Sequence, residues 1–270
     1  MKKLIIVFCL FSVFRSAFCQ YTEHKAIKLN KFKELENASL KFTYQFAHVQ
    51  DIAKQDSTIK KDTQTLLIGE NISKYFSQKM VSTCQDKSAF FVENGICGFE
   101  VYKNYPANKM TVTDLGTMLG FNQGESFIYE EEMPQMKWEI KGDTSTILSY
   151  QCQKATTVFR GRTYEAWFTS GIPTNNGPWK FGGLPGLILK VTDTKREVFF
   201  ECIGVEKLQT PEPIKFYTLN YNKTSYKDLN KLYKRFQDDI FDYMAKYTMM
   251  GNTSGVPHAP KQPFNPIELE

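Results

Sequence analysis

The chain has 270 residues, 41% apolar and 14% aromatic, enough for one large core or two small ones. Three of its 34 basic residues, Lys2, Lys3 and Arg15, fall in an N-terminal leader, so the rest nearly balance the 29 acids. That balance gives no argument for nucleic acid as a partner, and beyond the leader no apolar stretch is long enough to span a bilayer.

Met1 to Cys19 has a basic start, an apolar run from Leu4 to Phe14, and Ala17 and Cys19 placed as a cleavage site. This predicts export after cleavage near Cys19/Gln20, to the periplasm, the outer-membrane surface or the medium. Residues 20–250 then form a single β-rich domain, and 251–270 a proline-rich tail.

In chain order, residues 21–36 are charged and mixed, and "NKFKELEN" reads as a helical turn. "ASLKFTYQFAHV" alternates, with Leu40, Phe42, Tyr44 and Phe46 on one face of a strand. Lys54 to Asp62 is polar and aperiodic, a loop or hairpin tip. "DTQTLLIGENISKYFS", "SAFFVEN", "GFEVYKNYP" and "SFIYEEEMP" follow as short strands. "KWEIKGD" leads through a turn into "TILSYQCQKATTVF", and "RGRTYEAWFTSGIP" alternates again. "GLILKVTD" and "REVFFECIGVEKL" make a strand–turn–strand unit around Thr194 and Lys195. Ser225 to Tyr247 reads as one long amphipathic helix, capped by Ser225 with Asp228, with Leu229, Leu232, Tyr233, Phe236 and Ile240 on its apolar stripe. The tail ends on "NPIELE", whose Ile267 and Leu269 suit an edge strand. The fold class expected is mainly β, a curved antiparallel sheet, open and half-barrel-like, covered by that helix.

Of six cysteines, Cys9 and Cys19 leave with the leader. Cys84, Cys97, Cys152 and Cys202 remain, an even set that in an exported chain predicts disulfides. Cys84–Cys97 and Cys152–Cys202 are preferred among the pairings, because each closes a contiguous stretch of predicted strands. There is no CxxC, and His24, His48 and His258 are scattered, so neither a metal nor another cofactor is expected.

"GPWKFGGLPGLILKVTD", from Gly177 to Asp193, lacks the Walker pattern, GxGxxG and GxSxG. Pro185 and Gly186 suit the centre of a type II turn, and Leu187, Ile188 and Leu189 read as a buried strand. Trp179 and Phe181 would fold over that turn as an apolar plug. Arg160 and Arg162 share one strand parity and Trp167 the other. The two arginines could receive an anion, or form an exposed face or an ion pair with Glu165. Arg160, Arg162, Trp167, Trp179 and Phe181 are thus the candidate ligand contacts, and no catalytic set can be named. Glu130, Glu131 and Glu132 read as a solvated acidic run.

The hexapeptide Gly183-Leu184-Pro185-Gly186-Leu187-Ile188, with "KWEI", "YQCQKAT", "FRGRTYEAWFTSGIP", "GPWKF" and "NPIELE" around it, resembles the GLPGLI family of exported Bacteroidetes proteins, also called Porph_ging. The resemblance is densest from Trp138 to Asp193. It implies an envelope protein of unknown molecular function, associated with outer-membrane receptors of the TonB-linked kind. The middle segment is also similar, at the level of fold, to open-sheet lipoprotein-sorting carriers. The expectation is a non-catalytic binding or accessory protein with an apolar ligand or an envelope partner. The alternatives are an envelope hydrolase using carboxylates with Arg160 or Arg162, and a structural protein docking through its C-terminal strand.

Overall fold

The computed structural model describes residues 29–85, 98–115, 126–242 and 258–270. The expected leader at 1–19, the strand expected within 88–94, Cys97 and the stretch 243–257 lie outside the described residues.

Two long strands form the spine of the fold. In β1, Phe32–Val49, the alternation that places Phe42, Tyr44 and Phe46 on one face buries all three. β11, Val198–Tyr217, runs antiparallel beside it, from Phe32 opposite Tyr217 to His48 opposite Val198, with bulges that bend the pair. The intervening strands are β2 (Ile59–Ile68), β3 (Ser73–Ser77), β4 (Phe99–Lys103), β5 (Lys109–Asp114) and β6 (Ser126–Glu132). β7 (Glu139–Ile147), β8 (Tyr150–Phe159), β9 (Arg162–Thr169) and β10 (Leu187–Asp193) follow, and β12 is Tyr221–Lys223. Among the described residues they make one open sheet ordered β12-β6-β5-β4-β3-β2-β1-β11-β10-β9-β8-β7. Every pairing is antiparallel except the parallel contact of β12 with β6.

The sheet bends back on itself. In the strand order β6 and β9 are eight places apart, which in a flat sheet would be about 38 Å. Yet Arg160, in the β8–β9 turn, meets Glu131 of β6 at 2.9 Å. The hollow so formed is filled by the loop between β9 and β10. Trp179 stacks on Phe200, Phe181 packs edge-on against Tyr164 at 4.8 Å between centroids, and Leu184 joins the same core. Two hydrogen-bonding tethers hold this loop. Lys103 of β4 donates to Asn176 Oδ1 and to the carbonyls of Gly177 and Phe181, and the Trp138 indole donates to the Gly182 carbonyl.

Several expectations need correction. The "NKFKELEN" stretch is not helical; from Phe32 it belongs to β1, because β11 is long enough to supply its backbone partners. "KWEIKGD" does not end at a turn, since Glu139 through Ile147 is one strand. The hairpin closes instead at Leu148 and Ser149, with φ of 50° and 67°. That is type I′ geometry without the glycine or asparagine that usually announces it. The Leu184–Leu187 segment is not the expected type II turn: the Gly186 N–H bonds to the Leu184 carbonyl, and the Leu187 N–H goes to Ile172. Gly186 adopts φ 145°, and a Cβ there would lie 2.1 Å from the Thr169 carbonyl oxygen. Glycine is thus required by both torsion and space.

Helices are short. Among the described residues α1 is Gln78–Gln85 and α2 is Tyr226–Asp238, so the single helix expected from Ser225 breaks at Asp239, and its expected end at 243–247 lies outside the described residues. Ser225 caps α2 as expected, its hydroxyl accepting the Asp228 N–H and donating to the Asp228 carboxylate. Asp239 ends it with extended torsions, φ −160° and ψ 100°. Its carboxylate takes the N–H groups of Phe241, Asp242 and Ala259, which competes with continuing the helix. α2 lies over the β4–β6 end of the sheet: Tyr233 bonds Asp114 of β5 and packs on Phe99, and Tyr226 packs on Tyr129. No described helix is long and apolar enough to cross a membrane.

The expected disulfides are also overturned. Cys84, Cys152 and Cys202 are buried free thiols. β9 and β10 separate the strands bearing Cys152 and Cys202, which in such a sheet puts them roughly 14 Å apart, about twice the reach of a disulfide.

Candidate functional site

Two assemblies of polar side chains stand out, one on each face of the β8–β10 region. The inner one is built around arginine and lysine. Arg162 opens β9 facing inward, and its guanidinium uses every donor. Nε donates to the Ile267 carbonyl, Nη1 to Asp193 and Glu197 at 3.0 and 2.6 Å, and Nη2 to Asn265 Oδ1 and the Pro266 carbonyl. Beside it, the Lys180 ammonium, fully buried, sits 2.6 Å from both Glu131 and Glu268. Arg160 contacts the same two carboxylates. Four of these anchors, Asn265, Pro266, Ile267 and Glu268, belong to the tail, so "NPIELE" docks on its own chain. Leu269 adds a backbone bond to the Arg160 carbonyl.

Burial raises the Glu268 carboxyl above the usual carboxylate range, and Lys180 opposes that shift. Burial likewise pushes the Tyr129 hydroxyl, 3.3 Å from Lys180, far up. His48, behind Asn265, is lowered to about 4 by burial and by the nearby Arg162 charge. Two carboxylates converging on one point would suit acid–base chemistry if water and substrate reached them. Here Glu268 is 2% exposed and the pair is neutralised by Lys180 and Arg160, so the assembly works as a lock closing the hollow.

The outer assembly faces solvent. Trp167 of β9 stands directly between Lys154 of β8 and Lys190 of β10 in the strand register. A bulge between Ile188 and Lys190 creates this alignment: Ile188 and Leu189 both turn inward, and Lys190 emerges beside the indole. Each lysine has its own carboxylate, Lys154 with Glu165 at 3.0 Å and Lys190 with Glu201 at 3.5 Å. Lys190 also lies over the Phe199 ring. Trp167 is half-buried. Among the described residues no cation or second ring covers its indole and nothing accepts from its N–H, which reaches solvent.

Of the candidate ligand contacts, Arg162, Trp179 and Phe181 face the interior with intramolecular partners, and Arg160 is half-buried among Glu131, Glu268 and the Phe159 ring. Only Trp167 of the five stands on the outer face. Sequence reading missed Lys180, Asp193, Glu197, Asn265 and Glu268 in the lock, and Lys154, Lys190 and Glu201 outside. Glu131, read as solvated, is a lock residue. The bond between Arg162 and Asn265 joins residues 103 positions apart, so no local spacing announces it. Among the described residues no three His, Cys, Asp or Glu side chains converge as metal ligands.

Residues 106–232, from the β4–β5 turn to the middle of α2, match the family described as N-glycanase peptide, N-terminal domain. Two solved structures of PNGF-II share the fold. One, in space group P21, is 18% identical with a TM-score of 0.51, covering 74% of this chain and 34% of its own. The other, in C2, is 16% identical with a TM-score of 0.50, covering 73% and 33%. The chain thus spans about a third of the length of the structures it matches. No curated protein matches it. These similarities overturn the resemblance to the GLPGLI family, and with it the reading as a non-catalytic envelope accessory. Gly183 to Ile188 records a local backbone demand, the close pass of Gly186 under Thr169, and such a demand is weak testimony to kinship.

Proposed function

We propose that this chain is a glycan-directed unit that engages N-glycosylated polypeptides. The observation that carries this reading is the match of residues 106–232 to the N-terminal domain of an N-glycanase. The matched stretch supplies β5 to β12 and the first half of α2, and so the outer strip and the part of the lock that lies outside the tail. Export would bring such a unit to glycoproteins outside the cell, and the leader at Met1–Cys19 supports that compartment.

The test is retention on an immobilised glycoprotein bearing N-linked glycans, compared with the same protein after its glycans have been stripped. Mass spectrometry of a soluble N-glycopeptide incubated with the chain reads any glycan release in parallel. Retention on, or release from, the glycosylated form alone is the expected result. Equal behaviour toward both forms refutes the reading.

A further inference from the structure

We infer that Trp167 and the charge pairs flanking it form a carbohydrate-stacking subsite on the outer face of β8–β11, taking an uncharged oligosaccharide of the N-glycan type. The inference rests on the glycan-directed reading above and locates it on particular atoms.

Trp167 lies on a strand paired on both sides, opposite Lys154 and Lys190, so its position is fixed by the sheet. The pyranose ring presents a face of C–H bonds whose partial positive charge suits the electron-rich face of an indole. In Trp167 no internal cation or ring competes for that face, in contrast to Trp179, whose ring has Phe200 stacked on it and Lys180 over it.

The flanking charges choose the chemistry of the occupant. Lys154 and Lys190 are both paired with carboxylates, Glu165 and Glu201, so the strip carries no net charge and gives no field to attract an anion or a nucleic acid. All four groups are only partly exposed, with side-chain accessibilities of 22–36%. They present ammonium donors and carboxylate acceptors beside the ring, the pattern that sugar hydroxyls satisfy from both sides. From Lys154 through Trp167 to Lys190 is two strand spacings, about 10 Å, the length of a disaccharide. A hydrophobic peptide would leave these charges unanswered, and an anionic ligand would have to break one pair.

The experiment titrates the purified chain with a high-mannose N-glycopeptide and with the same peptide unglycosylated. It reads affinity by calorimetry and the indole N–H signals by 15N-edited NMR, Trp167 being assigned with Trp167→Phe. The expected result is glycan-dependent binding in which the Trp167 indole N–H shifts first. Trp167→Ala should then weaken binding at least about tenfold, and Trp167→Phe less. Trp167 packs at the margin of the core, so circular dichroism and melting of each variant accompany the titrations. The NMR shift in the unmutated chain stands whether or not Trp167→Ala folds. If the chain binds the glycopeptide while the Trp167 signal stays fixed, or Trp167→Ala binds within twofold, the subsite is wrong and the glycan-directed reading survives. If the chain binds no better than to bare peptide, both fall.

Discussion

Replacing Arg162 with methionine tests the lock most directly. The side chain makes five hydrogen bonds, two to carboxylates and three to tail acceptors, with almost no solvent contact. Methionine fills much of the stem volume, so the loss is electrostatic more than a cavity effect. Asp193 keeps the backbone N–H groups of Glu197 and Val198 at 2.7 and 2.9 Å, which softens the loss there. Glu197 retains just the Asn265 amide, at 3.3 Å. Removing one partner of a buried ion pair costs about 3–5 kcal/mol, and Glu197 holds the figure in that range. At about 2–4 °C per kcal/mol for a chain of this size, Tm should fall by about 6–20 °C. Urea unfolding gives the free energy, and hydrogen exchange at Leu269, whose N–H bonds the Arg160 carbonyl, should show the tail released. Lys41→Met, which breaks the partly exposed pair with Glu212, is the comparison and should change stability by less than about 1 kcal/mol. If Arg162→Met also unfolds within 1 kcal/mol of the parent, with Leu269 still protected, the lock does not hold the tail.

Three further outcomes follow from the geometry. Burial lowers Lys103 to about 7, so between about pH 7 and its unfolded value near 10.5 the unfolded chain binds the extra proton. That contribution makes stability rise with pH across the window and is lost as pH falls toward 7; urea unfolding from pH 7 to 9.5 should show a slope that Lys103→Met flattens. Gly186→Ala forces a methyl onto the Thr169 carbonyl and should destabilise by about 2 kcal/mol or more, whereas Gly142→Ala, with nothing within 4 Å, should change stability by under about 0.5 kcal/mol. Alkylation of non-reduced, denatured protein followed by mass spectrometry should find Cys84, Cys152 and Cys202 as free thiols. In the native chain Cys84 and Cys202, their thiols pushed up to about 12 by burial, should resist alkylation at pH 8.

By itself the sequence determined the mainly β character, the inward face of β1, the N-cap of α2 and the buried run of β10. Each rests on side-chain periodicity or capping chemistry confined to a few consecutive residues. It also put Trp167 and Arg162 on opposite parities, which is as far as local pattern reaches toward a site. The end of α2 at Asp239, the turn at Leu148–Ser149 and the free state of Cys152 and Cys202 depended on partners distant in the chain, and only the tertiary structure decided them. The same holds for the two polar assemblies. Glu131, Lys180 and Glu268 become one ionic unit because a bent sheet brings β6, a loop and the tail together, and Lys190 stands beside Trp167 because of one bulge in β10. Neither follows from spacing: a carboxylate's role is set by which cation the fold places within a few ångströms, and a one-residue bulge reverses which way every later side chain in the strand points.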